Sequence, residues 1–331
     1  MKVYFYPPPY PSSRPVSFNP YSDRFRESLD KKHKVVNWNG ARSAVLDLIK
    51  HLFSFKVVIF NWIENLSNKP FKSLQLLLFV ISFIIIKARR ARVIWIMHNI
   101  HPHEGNNWVS QIIQKMMYSY ADLIITHSSE AEKVAGLASC KKVVFLHHPV
   151  NYSPIEIRSN EKKEFDVLIW GAIEPYKGIL EFVQYLIARN ISWNVKIVGK
   201  CKNEKYKELL KNEIGSISTI SYEDRRIPTA ELNSLVKRSS YVVFPYLSSS
   251  VSSSGALMDT LMLGGTVIGP KKGAFKDLSL KGLCLTFDAY DEIVTIIESK
   301  RDIEFEIINQ FLKENDWAVF VDNIFLHFDE I

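Results

Sequence analysis

Along the chain, short apolar runs rich in β-branched residues alternate with longer segments of helical period. In the first half, Lys2–Tyr6, Lys34–Trp38, Lys56–Phe60, Arg92–Met97, Leu123–Thr126 and Lys142–Leu146 read as strands. Pro20–Lys32, Ala41–Phe53, an apolar stretch at 71–88 and Trp108–Tyr120 read as the helices between them. HHPVNYSP (147–154) reads as a linker, and then the pattern restarts. Strands are expected at Phe165–Trp170, Trp193–Val198, Ser218–Ile220 and Tyr241–Phe244, with helices over Ile179–Arg189, Glu204–Asn212 and Thr229–Lys237. Glu304–Ile331 closes the chain as a helical region. Runs that are apolar throughout suit parallel strands covered on both faces. The prediction is therefore an α/β protein with two doubly wound, Rossmann-like domains. Their ligand crevices lie at the carboxyl ends of the strands and face one another across an interdomain cleft.

Composition narrows the picture. A chain of 331 residues, 47% hydrophobic and 23% charged, suits two folded domains. The net charge of +7 favours anionic partners such as nucleotide phosphates or acidic lipid. Lysines and arginines over 200–211 and 225–238 read as solvated helix faces, and no aromatic interleaving suggests a nucleic-acid platform. The three cysteines, Cys140, Cys201 and Cys284, lie far apart, as in a reducing compartment. The opening MKVYFYPPPY lacks the apolar core of a secretory leader. Leu74–Ile86 is a thirteen-residue, mostly apolar run with Lys69 and Lys72 before it and KARRAR after it. It falls short of the roughly 18–20 residues that span a bilayer. It reads either as a buried core helix or as one dipping into a leaflet, with Lys87, Arg89, Arg90 and Arg92 on anionic head groups.

Candidate chemistry gathers in three places. In FPYLSSSVSSSGALMDTLMLGGTVIGP (244–270) a strand is stopped by Pro245, and six serines in seven positions lead to Gly255 and a short helix. Unpaired amides and the positive dipole end at such a helix start suit a phosphate, although serine is also an ordinary N-cap. GAIEPYKG (171–178) places Lys177 after the first strand of the second half, as a diphosphate ligand or a solvated turn lysine. Ten of the thirteen glycines follow residue 150, which marks that half as the nucleotide domain. WIMHNIHPHE (95–104) sets His98 and Asn99 at a strand end, with His101, His103 and Glu104 in the loop. This suits acid–base chemistry or, by its HxH spacing, a metallohydrolase. The sequence has no GxGxxG after a strand, no GxxxxGK[ST], no HExxH and no DxD, so metal-free stabilisation of a leaving group is expected.

Taken in order, these three motifs resemble GT-B glycosyltransferases of the group 1/family 4-like kind that build bacterial surface polysaccharides. The resemblance spans essentially the whole chain. It implies an acceptor-binding domain over 1–150, a nucleotide-sugar-binding domain over 151–310, and a helical segment 311–331 packing back on the first. It implies a UDP- or GDP-linked sugar as co-substrate, no other cofactor, and a lipid-linked glycan acceptor. The enzyme would then work at the cytoplasmic face of the cell membrane, touching an anionic surface through residues 71–92. Lys177, Ser253, Ser254 and Gly255 match donor-diphosphate positions, Asp259 a ribose binder and His98 the strand-end histidine, with Tyr246 beside them. Val251 stands where relatives carry the first glutamate of E-x7-E, and Ala172 where many carry an arginine. The stereochemical course is therefore open, and an inverting base would be Glu104, then His103, then Glu64. A protein that binds nucleotide sugar or glycan without catalysis is the alternative.

Overall fold

The computed structural model describes residues 1–9, 21–39, 41, 43–98, 100, 107–139, 141–154, 162–215, 217–247 and 252–330. The chain divides into two compact units, residues 1–147 with 316–331, and residues 148–315.

Among the described residues of the first unit, six strands form one parallel sheet: β1 (Lys2–Tyr6), β2 (Lys34–Val35), β3 (Val57–Asn61), β4 (Arg92–Met97), β5 (Leu123–Thr126) and β6 (Lys142–Phe145). Their order is β2-β1-β3-β4-β5-β6, so the winding reverses between β1 and β3. β3 is buried along its whole length, because helices cover both faces of the sheet. On one face Tyr4, Phe60 and Trp95 meet Phe79 and Phe83 of helix Lys72–Ala88; on the other Val3, Phe5 and Ile94 meet Phe25 and the C-terminal helix Trp317–Asp329. The C-terminal helix thus returns to the N-terminal unit, as expected. One helix, Ser129–Ala138, escaped the sequence reading. Its buried positions are alanines, Ala131 and Ala135, so its apolar stripe is too weak to see. Ser128 starts it by accepting from the Ala131 amide.

Helix Lys72–Ala88 is neither fully buried nor amphipathic in composition. Leu76, Phe79, Phe83 and Ile86 are buried, while Leu74, Leu77, Ile81 and Ile84 are exposed. Burying Phe79 alone contributes roughly 2–3 kcal/mol, which anchors the inner face. No helix among the described residues is long and apolar enough to cross a membrane.

The second unit holds another six-stranded parallel sheet, counted over the described residues: β7 (Phe165–Trp170), β8 (Val195–Val198), β9 (Ile220–Glu223), β10 (Ser239–Val243), β11 (Val267–Pro270) and β12 (Leu285–Phe287). Read from the β9 edge the order is β9-β8-β7-β10-β11-β12, or 3-2-1-4-5-6 by appearance. This is the Rossmann order, with its switch point between β7 and β10. The strand expected at 218–220 lies later, because β9 is an edge strand with one fully buried residue, Ile220, followed by polar Ser221–Tyr222–Glu223.

Candidate functional site

At the switch point, Trp170 ends β7 and the chain turns at Gly171 with φ of 109°. Gly199, beyond β8, approaches so closely that a Cβ there would lie 1.7 Å from the Gly171 carbonyl oxygen. A short 3₁₀ turn, Pro175–Lys177, then ends at Gly178, whose φ of 64° lets helix Ile179–Ala188 start. A Cβ on Gly178 would lie 2.2 Å from the Pro245 carbonyl oxygen. The Lys177 loop is therefore wedged against the segment that follows β10. Two further contacts tie these loops together. The Leu247 amide donates to the Tyr176 carbonyl at 3.1 Å. The Tyr290 hydroxyl lies 3.3 Å from the Gly178 carbonyl and 3.2 Å from that of Pro245.

This packing buries the Lys177 side chain: the residue is 8% exposed. Its ammonium sits 5.3 Å from the centre of the Tyr246 ring. Among the described residues it has no hydrogen bond or ion pair. Burial pulls its pKa down, and Tyr176 and Glu174 pull it only partly back. A buried cation without a paired anion is costly.

The adjoining helix start is Ser254, the N-cap of helix Gly255–Met262, whose Oγ accepts from the Leu257 amide at 3.2 Å. The Tyr246 hydroxyl is hydrogen-bonded to the same serine, and burial raises its pKa. Tyr246 thus touches Lys177 by its face and the helix start by its hydroxyl. The first amides of a helix lack intrahelical partners and carry the positive dipole end. Asp259 stands four residues after Gly255, on the same helix face. From the other side, the Trp170 indole N–H donates to Thr260 Oγ1 at 2.9 Å and ties the helix to β7. The sequence reading missed Trp170 and Tyr290, which hold the loops without bearing chemistry themselves. Thus Lys177, Tyr246, Ser254 and the helix bearing Gly255 and Asp259 converge at one switch point, with Ser253 just before the cap. Val251 lies outside the described residues.

The first unit assembles a different group at the ends of β3, β4 and β5. His98 is buried, and its Nε2–H donates to Asn61 Oδ1, while the Asn61 amide nitrogen donates to Ser22 Oγ at 3.0 Å. Trp62, in left-handed backbone at φ 50°, stacks on the imidazole at 4.1 Å and 18°. His127, which the sequence reading did not single out, lies 5.1 Å from His98. Its Nδ1 faces the Leu146 carbonyl at 2.9 Å and must donate there, so Nε2 accepts from the Tyr21 hydroxyl at 2.9 Å. Burial lowers the His127 pKa to about 4, so the ring is neutral. His101, His103, Glu104 and Asn99 lie outside the described residues.

Glu64 belongs elsewhere. Its Oε1 accepts from the Trp95 indole at 3.1 Å, on the sheet face opposite His98. The residue as a whole is half-buried, but the carboxyl is enclosed, and burial raises its pKa to about 7.

No family model matches the sequence, and no curated protein matches it either. Solved structures do. HepE from Anabaena, determined with UDP and glucose, superposes with a TM-score of 0.69 at 14% identity over 100% of both chains. The lipopolysaccharide outer core galactosyltransferase WaaB gives 0.67 at 12% identity, again over 100% of both. Sucrose-phosphate synthase from Thermosynechococcus elongatus gives 0.63 at 10% identity, over 99% of this chain and 89% of the other. Identities this low speak to the fold. With two doubly wound parallel sheets and a terminal helix returning to the first, this protein has the GT-B fold of glycosyltransferases.

Proposed function

We propose that this protein is a glycosyltransferase that moves a sugar from a nucleotide-sugar donor to a glycan acceptor. The observation carrying this reading is Lys177, a buried ammonium that makes no ion pair among the described residues and lies at the β7/β10 switch point against Tyr246, whose hydroxyl bonds the helix cap Ser254. As the bond between sugar and diphosphate breaks, negative charge grows on the departing phosphate. Lys177 and the amides at 253–255 stabilise that charge, and their positions are set before reaction. A fixed cation takes the part a metal would play, so transfer is expected to survive EDTA. Asp259 binds the ribose. On the acceptor side, Glu104 or His103 removes the hydroxyl proton, with His98 lining the site. Because Nε2 of His98 donates to Asn61, a neutral His98 takes up a proton only at Nδ1.

The acceptor is a lipid-linked or oligosaccharide chain of capsule, O-antigen or exopolysaccharide synthesis, met at the inner face of the cell membrane. Support comes from the ridge of Phe71, Leu74, Leu77, Ile81 and Ile84, each between 47% and 82% exposed. The helix carries no acidic residue, and Lys69 and Arg90 lie exposed at its two ends.

The deciding experiment is a thermal-shift screen of UDP-, GDP-, TDP- and CMP-sugars, followed by transfer to lipid-linked acceptors. Stabilisation by one donor class, lost in Lys177→Ala, supports the reading. Wild-type transfer by Lys177→Ala overturns it, and binding without transfer favours a donor-binding protein without catalysis.

A further inference from the structure

The amino ends of the first sheet carry a row of cations far apart in the sequence. Lys2 in β1 is the register partner of Lys34 in β2. Lys56, one residue ahead of β3, donates its amide to the Lys2 carbonyl at 3.0 Å. Three neighbouring strands, about 4.8 Å apart, are thus each entered at an exposed lysine. Like charges facing one another across a sheet repel. Other lysines at this end are offset: Lys32, Lys87 and Lys142 are ion-paired with Asp322, Asp122 and Glu330. Lys2, Lys34, Lys50, Lys56 and Arg90 make no ion pair among the described residues. Asp30, the acid nearest Lys34 along the chain, accepts from the Val35 amide at 2.9 Å.

The row shares a side of the sheet with the apolar ridge. Val3 and Val35 point into the cluster under the C-terminal helix, so Lys2 and Lys34, one position earlier, point to the side of helix Lys72–Ala88. That helix joins the carboxyl end of β3 to the amino end of β4, so its exposed Ile81 and Ile84 lie towards the cations. Lys50, in the last turn of helix Ala44–His51, and Arg90, just past helix Lys72–Ala88, are exposed at the same end. Beside them Phe53 is 77% exposed, with the Arg89 guanidinium 4.9 Å from its ring centre. Of the cations that follow the helix in sequence, Lys87 is held by Asp122, and Arg92 lies over Phe328 on the opposite face.

We propose that this end of the first sheet is a headgroup site for anionic lipid. Lys2, Lys34, Lys50, Lys56 and Arg90 hold the phosphates, while Phe53 and Ile84 enter the boundary between head groups and acyl chains. The proposal deepens the membrane reading given above and rests on it for the lipid character of the partner. Exposed apolar side chains beside unpaired cations suit a surface that offers phosphate and hydrocarbon together, whereas a nucleic acid offers the first without the second.

The test is co-sedimentation of the full chain with vesicles of phosphatidylcholine alone or mixed with phosphatidylglycerol. Wild type is expected to bind the mixed vesicles, and less tightly in high salt. The triple variant Lys2→Gln, Lys34→Gln, Lys56→Gln is expected to lose about 100-fold in affinity for them. Lys50→Gln with Arg90→Gln, outside the strands, should lose about 20-fold. Lys205→Gln, Lys211→Gln and Lys281→Gln together remove the same charge as the first triple from the second unit, and should bind as wild type. Strand-end variants that bind as wild type, or no more weakly than the second-unit triple, overturn the proposal. Leu77→Ser with Ile81→Ser strips the ridge and tests the membrane reading separately: loss of binding there alone leaves that reading standing without this site. Wild type that binds neither vesicle overturns both. Melting curves should show the first triple no less stable than wild type, since facing charges are removed.

Discussion

Both units place polar side chains at the carboxyl ends of parallel strands, but they satisfy them differently. In the first unit Asn61, His98, Tyr21 and His127 pair with one another and with backbone, so a large part of their hydrogen-bonding capacity is used within the protein. In the second, the Lys177 ammonium is buried against the face of Tyr246 and makes no ion pair among the described residues. The first arrangement is a preorganised wall; the second is an incomplete ion pair. Buried polar groups are normally satisfied, and the proposed donor site rests on the one that is not.

This contrast can be broken at several points. The largest effect is expected from Lys177→Met, with transfer falling about 100- to 1,000-fold as stabilisation of the leaving charge is lost. Its melting temperature should stay level or rise, because a buried unpaired cation is removed. A melting temperature that falls with activity would show Lys177 to be structural.

Gly199→Ala should come next, destabilising the second unit by roughly 3 kcal/mol or more as its methyl meets the Gly171 carbonyl. Chemical denaturation checks this, and donor affinity should fall with it because Gly171 opens the Lys177 loop.

In the first unit the effects depend on pH. Glu64 has a folded pKa raised to about 7, so the fold favours its protonated form and loses stability as pH rises from the unfolded carboxylate value through 7. Glu64→Gln keeps the acceptor for Trp95 without the charge. It should gain on the order of 2 kcal/mol over wild type at pH 8.5, and little at pH 4.5. His127 acts in the opposite direction. Its folded pKa is lowered to about 4, so stability is lost as pH falls from the usual histidine range towards 4. His127→Asn or →Gln should flatten that acid limb in a pH series of melting temperatures.

The smallest effect is expected from Trp170→Phe, about 1 kcal/mol for one indole hydrogen bond to Thr260, with a modest loss of donor affinity. No change in either would mean that the helix is positioned by its apolar contacts alone.

Much of this architecture is legible in the sequence. The two βαβ arrays, Lys177 after β7, the serine cap and a helical C-terminus come from local patterns that obey simple physical rules, whereas the return of that helix to the first unit was implied by the family resemblance. Ser129–Ala138 was hidden because alanines make its buried stripe. β9 was displaced because an edge strand needs little apolar content. Helix 72–88 reads either as a core helix or as one dipping into a leaflet; its one face is buried and the other exposed, and composition alone does not say which face is covered.

By itself, then, the sequence determined the periodicities, the helix cap and the residue types able to meet phosphate, because these depend on near neighbours and on side-chain chemistry. Only the tertiary structure decided which groups are left without partners. Strand order sets the switch point, and that brings Gly178 against Pro245 and Lys177 over Tyr246. It also set Lys2 beside Lys34 and turned Glu64 away from His98. Satisfaction of a buried polar group depends on contacts between residues dozens of positions apart, and no local pattern encodes it.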